Sequence, residues 1–163
     1  FKKIILKTKF SDLKKKYLLK NEIGLAASYL AKKKNIRSFV TLYQKKIVNM
    51  PPKNYSGICF DGRDITYNIM PNAEIKFYMT AKIKVRAKRR HKELISQGHN
   101  ISLEQVFNTI KRRDESDFKR KISPLKKTKD AILIDNTNLT INQCFKKIKK
   151  IIDQKIKLWK KLN

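Results

Sequence analysis

The 163-residue sequence predicts an α/β fold in which a parallel sheet is flanked by helices. Short apolar runs at residues 58–60, 73–79 and 131–134 have the length and composition of buried strands. Segments with helical spacing of apolar residues separate the last two runs and follow the third. Alternation of this kind is typical of sheets whose strands run parallel.

The first fifty residues predict one strand and two helices. Residues 1–10 are strand-like, because three consecutive apolar residues are flanked by lysines. Residues 21–33 and residues 36–48 carry apolar side chains at helical spacing. The second helix is expected to end before Pro51-Pro52, because proline does not continue a helix.

A loop with two carboxylates and one guanidinium, Asp61-Gly62-Arg63-Asp64, follows the first apolar run. Ligands of parallel α/β sheets bind beyond the carboxyl ends of the strands. The loop is therefore a candidate ligand site, although a plain surface turn has a similar composition.

Two helices are predicted between the second and third strands. Thr80 is expected to cap a helix over residues 82–97 that ends at Gly98. Ser102 and Gln105 have the spacing of a capping box and mark the start of the next helix.

A last helix is predicted over residues 140–161. Four apolar side chains lie along one stripe of this helix: Phe145, Ile148, Ile152 and Trp159. We expect the stripe to pack on the sheet. Binding to a membrane surface or to a partner helix is the other interpretation of a basic amphipathic helix.

The net charge of the chain is strongly positive. The sequence has 41 Lys and Arg against 13 Asp and Glu, a formal charge of +28. This balance is typical of nucleic-acid binders, so a non-enzymatic RNA- or DNA-binding protein is one hypothesis. Only eight of the basic residues are arginines. The lysines are equally well explained as solvated surface residues.

Composition excludes several classes of protein. No apolar run is long enough to span a bilayer. Cys59 and Cys144 are too few for a disulfide framework or a four-ligand zinc site, which indicates a reducing compartment, the cytoplasm. The N-terminus shows no signal or transit peptide. Because the chain begins with Phe1 rather than Met, we expect it to be a fragment.

Arginines on the predicted helices form two further candidate groups. Arg86 and Arg90 are four residues apart, so they share a helix face and suit a flat ring and a phosphate. Arg113, Asp117 and Arg120 share one face of the next helix. Each group alone is equally well explained by a charged helix surface.

Together these segments resemble the bacterial cytidylate kinase family. The matching segments occur in order: Asn21-Glu22-Ile23, Ala26-Ala27-Ser28, Arg37, Phe60-Asp61-Gly62-Arg63-Asp64-Ile65, Pro71-Asn72-Ala73, Arg86-Ala87-Lys88-Arg89-Arg90, Lys111-Arg112-Arg113-Asp114, Asp117, Arg120, Pro124-Leu125 and Asp135-Asn136-Thr137. The resemblance implies a P-loop nucleoside-monophosphate-kinase-like parallel sheet with an NMP-binding insertion and a lid. Residues 1–50 would be the remainder of the NMP-binding region, and residues 55–163 the core, with the lid at about 86–120.

The resemblance implies phosphoryl transfer from ATP to CMP or dCMP, with Mg²⁺ as the cofactor. Ser28, Arg37 and Asp64 match the residues that read cytosine. The other matches are Arg63 and Arg120 with the acceptor phosphate, Arg113 and Asp117 with the sugar and the transferring group, Arg86 with adenine stacking, and Arg90 with a phosphate. Of these, Arg63, Arg113 and Arg120 would be catalytic. Asp61 would hold Mg²⁺ through water.

The Gly-rich phosphate loop of this class, Gly-x-x-x-x-Gly-Lys-Ser/Thr, does not occur in the sequence. The nearest approach, Gly57 to Gly62, is followed by Arg63-Asp64, whose carboxylate would repel a phosphate. Because the family carries this loop at its N-terminus, we expect a C-terminal majority that lacks the first βα unit and is inactive alone. We also expect a monomer with neither membrane nor nucleic-acid partners.

Overall fold

The computed structural model describes residue 18 and residues 21–30, 33–50 and 57–162. Within these ranges the fold is mixed α/β, with a small parallel sheet flanked by helices, as the sequence predicts. The strand predicted at residues 1–10 lies outside the described residues.

The first of two structural units falls within Phe1–Pro71 together with Lys121–Ser123. Its helices are α1, Asn21–Leu30, and α2, Lys34–Asn49, which confirm the two predicted helices. A π-helical turn, Ile65–Ile69, follows the Asp61-Gly62-Arg63-Asp64 loop and contacts α2.

Residues 58–60, predicted as a buried strand, are irregular. Cys59 is exposed, whereas Ile58 and Phe60 are half-buried. The prediction is wrong here because a three-residue apolar run is too short to show a period, so its pattern does not distinguish a strand from an irregular segment.

The second unit comprises Asn72–Arg120 and Pro124–Asn163 and contains the sheet. Strands β1, Phe77–Thr80, and β2, Ile132–Asp135, pair in parallel with Phe77 opposite Ile132. Ile134 is fully buried and anchors β2 in the core of this unit. The predicted strands at 73–79 and 131–134 are therefore confirmed, with bounds displaced by up to four residues.

Two helices, α3 at Ile83–Ser96 and α4 at Leu103–Lys119, connect the strands and pack against each other. Ser102 and Gln105 form the predicted capping box at the start of α4. Gly98 has a φ of 82°, the left-handed conformation that glycine adopts without strain just after a helix.

The start of α3 differs from the prediction. Thr80 is the last residue of β1 rather than a cap, and Lys82 occupies the N-cap position. The backbone N–H of Lys82 donates instead to Thr137 Oγ1 at 2.9 Å. A residue 55 positions away in sequence supplies this interaction, which local patterns do not reveal.

The last helix, α5, covers Ile141–Leu162 and confirms the predicted helix. Its stripe is covered only in part, because Ile148 and Ile152 are half-buried, whereas Phe145 and Trp159 are 64% and 59% exposed. The sheet is too short to cover the stripe. A helix of 22 residues is about 33 Å long, whereas strands of 4 residues span about 13 Å.

Candidate active site

A buried ion pair joins Arg37 of α2 to Asp64 in the loop before the π-helical turn. Asp64 is 6% exposed, the Arg37 side chain is 15% exposed, and Arg37 Nη2 lies 3.6 Å from Asp64 Oδ2. The distance is that of an ion pair rather than a hydrogen bond. Two of the three residues predicted to read cytosine therefore lie together. The third, Ser28, is on α1, and its side chain lies outside what the structure describes.

The π-helical turn adds a second partner for Asp64. The Asn68 N–H donates to the Asp64 backbone carbonyl at 2.9 Å, and Asn68 Nδ2 donates to Asp64 Oδ2 at the same distance. A carboxylate only accepts hydrogen bonds, so the amide nitrogen must be the atom that faces it. Both side-chain partners of Asp64 therefore contact the same oxygen.

Two atoms of this cluster are placed for a further partner. Asn68 and Arg37 both contact Asp64 Oδ2, which leaves Oδ1 as the oxygen for another donor. Arg37 Nε is buried and has no acceptor among the described residues. An unpaired buried donor is costly, so a ligand that offers an acceptor to this nitrogen would stabilise the cluster.

The loop before Asp64 is tightly packed on one side and open on the other. A Cβ on Gly62 would lie 2.9 Å from Cγ1 of the buried Ile65, so only glycine fits without displacement. Asp61 is exposed and Arg63 is half-buried. The loop thus presents the Asp61 carboxylate to solvent, three positions before the buried Asp64.

Asp61 is chemically suited to the predicted Mg²⁺. This ion keeps several waters and is usually bound by one or two carboxylates together with substrate phosphates, and the exposed Asp61 is one such carboxylate. Over the described ranges, no group of three or more His, Cys, Asp or Glu side chains is arranged to hold a metal. A single exposed carboxylate at Asp61 fits an ion whose other ligands are water molecules and the phosphates of a nucleotide.

The guanidinium of Arg86, on α3, is hydrogen-bonded through all three of its nitrogen atoms. Its Nη1 and Nη2 donate to the two carboxylate oxygens of Asp114 on α4 at 3.1 and 2.6 Å. Its Nε donates to the Ala81 carbonyl at 2.9 Å. The bidentate pair fixes the plane of the guanidinium and links α3 to α4.

Arg90, one turn further along α3, pairs with a different carboxylate. Its Nη1 lies 2.8 Å from Glu93 Oε1, three residues later in the same helix. Both side chains of this pair are exposed. The pair is the weaker kind, because water and salt screen exposed charges.

The predicted group at the end of α4 is partly assembled. Arg120 Nη1 donates to Asp117 Oδ1 at 3.2 Å, and the Leu125 N–H donates to the Asp117 carbonyl at 2.7 Å. Arg120 is the C-cap residue with an extended backbone, so it lies just beyond the helix rather than on its face. Arg113 is exposed within α4.

The matched segment Asp135-Asn136-Thr137 lies at the carboxyl end of β2 and is hydrogen-bonded to α3. The Thr137 hydroxyl and N–H bind the Asp135 carboxylate and hold its pKa below the usual value. Arg89 of α3 donates to Asn136 Oδ1 at 2.9 Å and to the Leu139 carbonyl at 3.0 Å. These bonds fix the loop after β2 against the helix that carries Arg86 and Arg90.

Two residues that contact predicted site residues were given no role in the sequence analysis. Asn68 follows Asp64 by four positions, a helical spacing that would have revealed the contact if a helical turn had been predicted there. Asp114 is 28 positions from Arg86 and meets it only through the packing of α3 on α4.

The side chains of these two units have the chemistry that nucleotide-binding proteins use, because guanidinium groups bind phosphate and carboxylates accept hydrogen bonds from base amines. The family model described as cytidylate kinase matches residues 3–154. The chain belongs to the cytidylate kinase family. The resemblance seen in the sequence is thus confirmed, and nothing in the comparisons supports the RNA- or DNA-binding alternative.

Individual relatives are similar over most of the chain. A cytidylate kinase from Thermosipho melanesiensis is 44% identical over 137 residues, which are 84% of this chain and 61% of the relative. One from Thermosipho africanus is 43% identical over 83% of this chain and 59% of the relative, and one from Bacillus subtilis is 36% identical over 83% and 58%. The chain thus spans about three fifths of the length of these relatives. Within the described ranges, no helix has the length and apolar character needed to cross a bilayer.

Proposed function

We propose that the protein carrying this chain is a cytidylate kinase that transfers a phosphoryl group from ATP to CMP or dCMP, giving CDP or dCDP. Membership of the family supports this activity. The observation that carries the proposal is the cluster of Arg37, Asp64 and Asn68, in which the buried Arg37 Nε has no acceptor among the described residues and both side-chain partners of Asp64 contact Oδ2.

Cytosine has the complementary pattern of donors and acceptors. Its exocyclic amine would donate to Asp64, while Arg37 and Ser28 would donate to the ring nitrogen N3 and the carbonyl O2. Uracil carries a carbonyl in place of the amine and an N–H in place of N3. The Asp64 carboxylate would then face an oxygen, so the site would reject uracil.

The remaining arginines supply the charge that phosphoryl transfer needs. Catalysis in this class consists mainly of positioning and charge neutralisation. We assign Arg63 and Arg120 to the acceptor phosphate, Arg113 and Asp117 to the sugar and the transferring group, and Arg90 to a phosphate of ATP. Arg86 would stack on adenine. The edge of its guanidinium already donates to Asp114 and Ala81, which supports a stacking role for its face.

Mg²⁺ would neutralise charge between the phosphates of ATP, and Asp61 would hold it through water. The Asp117 carboxylate orients Arg120 through their ion pair, so the guanidinium would reach the acceptor phosphate in a fixed position. We further propose that the protein acts as a monomer in the cytoplasm, where its nucleotide substrates occur.

The test compares CMP with UMP as acceptors in a coupled assay for ADP formation on the protein as its gene encodes it. We expect CMP to be strongly preferred. Asp64→Ala should reduce the ratio of kcat/KM for CMP to that for UMP by about tenfold to a hundredfold, because the cytosine amine loses a charged acceptor.

Asp153→Ala is the matched control, since Asp153 is a half-exposed aspartate of α5 that pairs with Lys149. It should leave the ratio unchanged. Equal turnover of CMP and UMP by the unmodified protein would refute the proposal.

A further inference from the structure

We propose that Asn68 is a positioning residue that sets the selectivity for cytosine by fixing the orientation of the Asp64 carboxylate. The inference rests on the proposed function and extends it to a residue outside the segments on which the resemblance rests. It is carried by the hydrogen bond from Asn68 Nδ2 to Asp64 Oδ2 at 2.9 Å.

The π-helical turn places Asn68 for this contact. The Asn68 N–H donates to the Asp64 carbonyl at 2.9 Å, and the Met70 N–H donates to the Ile65 carbonyl at 2.7 Å. Ile65 and Ile69 are buried and anchor the turn. The amide of Asn68 is therefore held by a packed element rather than by a mobile loop.

The two partners of Asp64 act on one of its oxygens. Asn68 Nδ2 and Arg37 Nη2 both face Oδ2, at 2.9 and 3.6 Å. A carboxylate without such partners rotates readily about its terminal bond, because that torsion is broad. With Oδ2 engaged, rotation is restricted and Oδ1 becomes the oxygen available to a ligand.

This restriction matters for the choice between bases. The amine of cytosine donates to an ionised oxygen, whereas the carbonyl of uracil is repelled by it. A carboxylate that turns freely would move away from the uracil carbonyl and accept the wrong base at a smaller cost. Asn68 therefore strengthens both the binding of cytosine and the rejection of uracil.

The experiment measures kcat/KM for CMP and for UMP in the protein as its gene encodes it. Asn68→Leu keeps the size of the side chain and removes the donor, and Asn68→Ala is a second variant that only removes atoms. We expect the CMP-to-UMP ratio to fall about tenfold in both, mainly through a higher KM for CMP, since a hydrogen bond to a charged group is lost. The KM for ATP should not change.

Asn142→Leu, at an exposed asparagine of α5, is the matched control and should keep the ratio. A merely structural role for Asn68 would lower kcat/KM for both bases alike. A double-mutant cycle separates the routes: in an Asp64→Ala background, Asn68→Leu should have no further effect on the ratio.

The outcomes distinguish this inference from the proposed function. An unmodified protein that does not prefer CMP overturns both. If the unmodified protein prefers CMP, two results would overturn the role of Asn68 alone. One is that the Asn68 variants keep the preference for CMP. The other is that Asn68→Leu lowers the CMP-to-UMP ratio by the same factor in the Asp64→Ala background as in the unmodified protein.

Discussion

The guanidinium of Arg86 shows how one side chain is prepared for a ligand before the ligand binds. All three of its nitrogen positions donate to oxygens of Asp114 and Ala81. Asp114→Asn replaces one of these acceptors with an amide nitrogen that repels the arginine. We expect the KM for ATP to rise about threefold to tenfold, since a partly exposed bidentate pair contributes about 1 kcal/mol. The KM for CMP should stay the same.

The control for this measurement is Glu115→Gln, which removes an exposed charge from the next position of α4. Steady-state kinetics with each nucleotide varied in turn separate the two KM values. An unchanged KM for ATP in Asp114→Asn would contradict a positioning role of Asp114 in ATP binding.

Gly62 is the position where the loop tolerates no side chain. A Cβ there would lie 2.9 Å from Cγ1 and 3.0 Å from Cδ1 of Ile65, which is buried. Gly62→Ala should lower the free energy of unfolding by about 1–3 kcal/mol, the usual cost of overpacking. Urea denaturation measures this change.

Gly57 provides the matched control, because a Cβ at this position meets no atom of the described residues within 4 Å. Gly57→Ala should change the stability by less than about 0.5 kcal/mol. Equal stabilities of the two variants would show that Ile65 moves aside without cost.

At the residue scale, the sequence predicted which charged residues belong to the site more readily than which residues contact them. Arg37 and Asp64 were singled out, and they do form a pair. The contact of Asn68 with Asp64 was missed because Ile65–Ile69 is a single π-helical turn, too short to show helical periodicity. The contact of Asp114 with Arg86 depends on how two helices pack, and the sequence of neither helix specifies it.

Among the elements, the two strands are joined at their amino ends by Lys76 and Asp130. The Lys76 ammonium is buried and hydrogen-bonded to the more exposed Asp130 carboxylate, and this bond holds the pKa of Asp130 below 3.8. A carboxyl whose pKa is lower in the folded than in the unfolded state stabilises the fold when ionised. That stabilisation is present above pH 3.8 and is lost as the pH falls through the lowered pKa.

Asp130→Asn should therefore lower the Tm at neutral pH, because the buried Lys76 loses its charged partner. The difference in Tm from the unmodified protein should shrink as the pH falls below 3.8. Calorimetry over a series of pH values measures both. A difference in Tm that stays constant down to acid pH would show that the ion pair does not stabilise the sheet.

Elements with a strong local signal were predicted well. The capping box of Ser102 and Gln105 marks the start of α4, and Gly98 follows the end of α3 by two residues. The strand at residues 58–60 was predicted wrongly, and the burial of the α5 stripe was predicted correctly only in part, because both depend on what lies beside them in the fold. A run of apolar residues indicates that its burial is favourable, but it does not identify the surface against which the residues pack.

At the scale of the whole chain, a charge of +28 predicts weak, non-specific attraction to any polyanion at low salt. Attraction of this kind depends on the number of phosphates contacted, so it falls steeply as salt is added. Under the proposed function, binding of CMP involves a single phosphate and a few specific contacts to the base from Arg37, Asp64 and Ser28. Its affinity should therefore fall far less over the same range of salt.

We expect the protein to bind CMP at about 0.15 M salt, and a single-stranded RNA oligonucleotide only well below that concentration. Fluorescence anisotropy with labelled RNA and calorimetry with CMP, both over a salt series, measure the two affinities. UMP carries the same phosphate as CMP and is the control for the contribution of charge alone. RNA binding that persists at this salt concentration, with no binding of CMP, would favour the nucleic-acid hypothesis. Many simultaneous phosphate contacts would then be needed to explain the affinity for RNA.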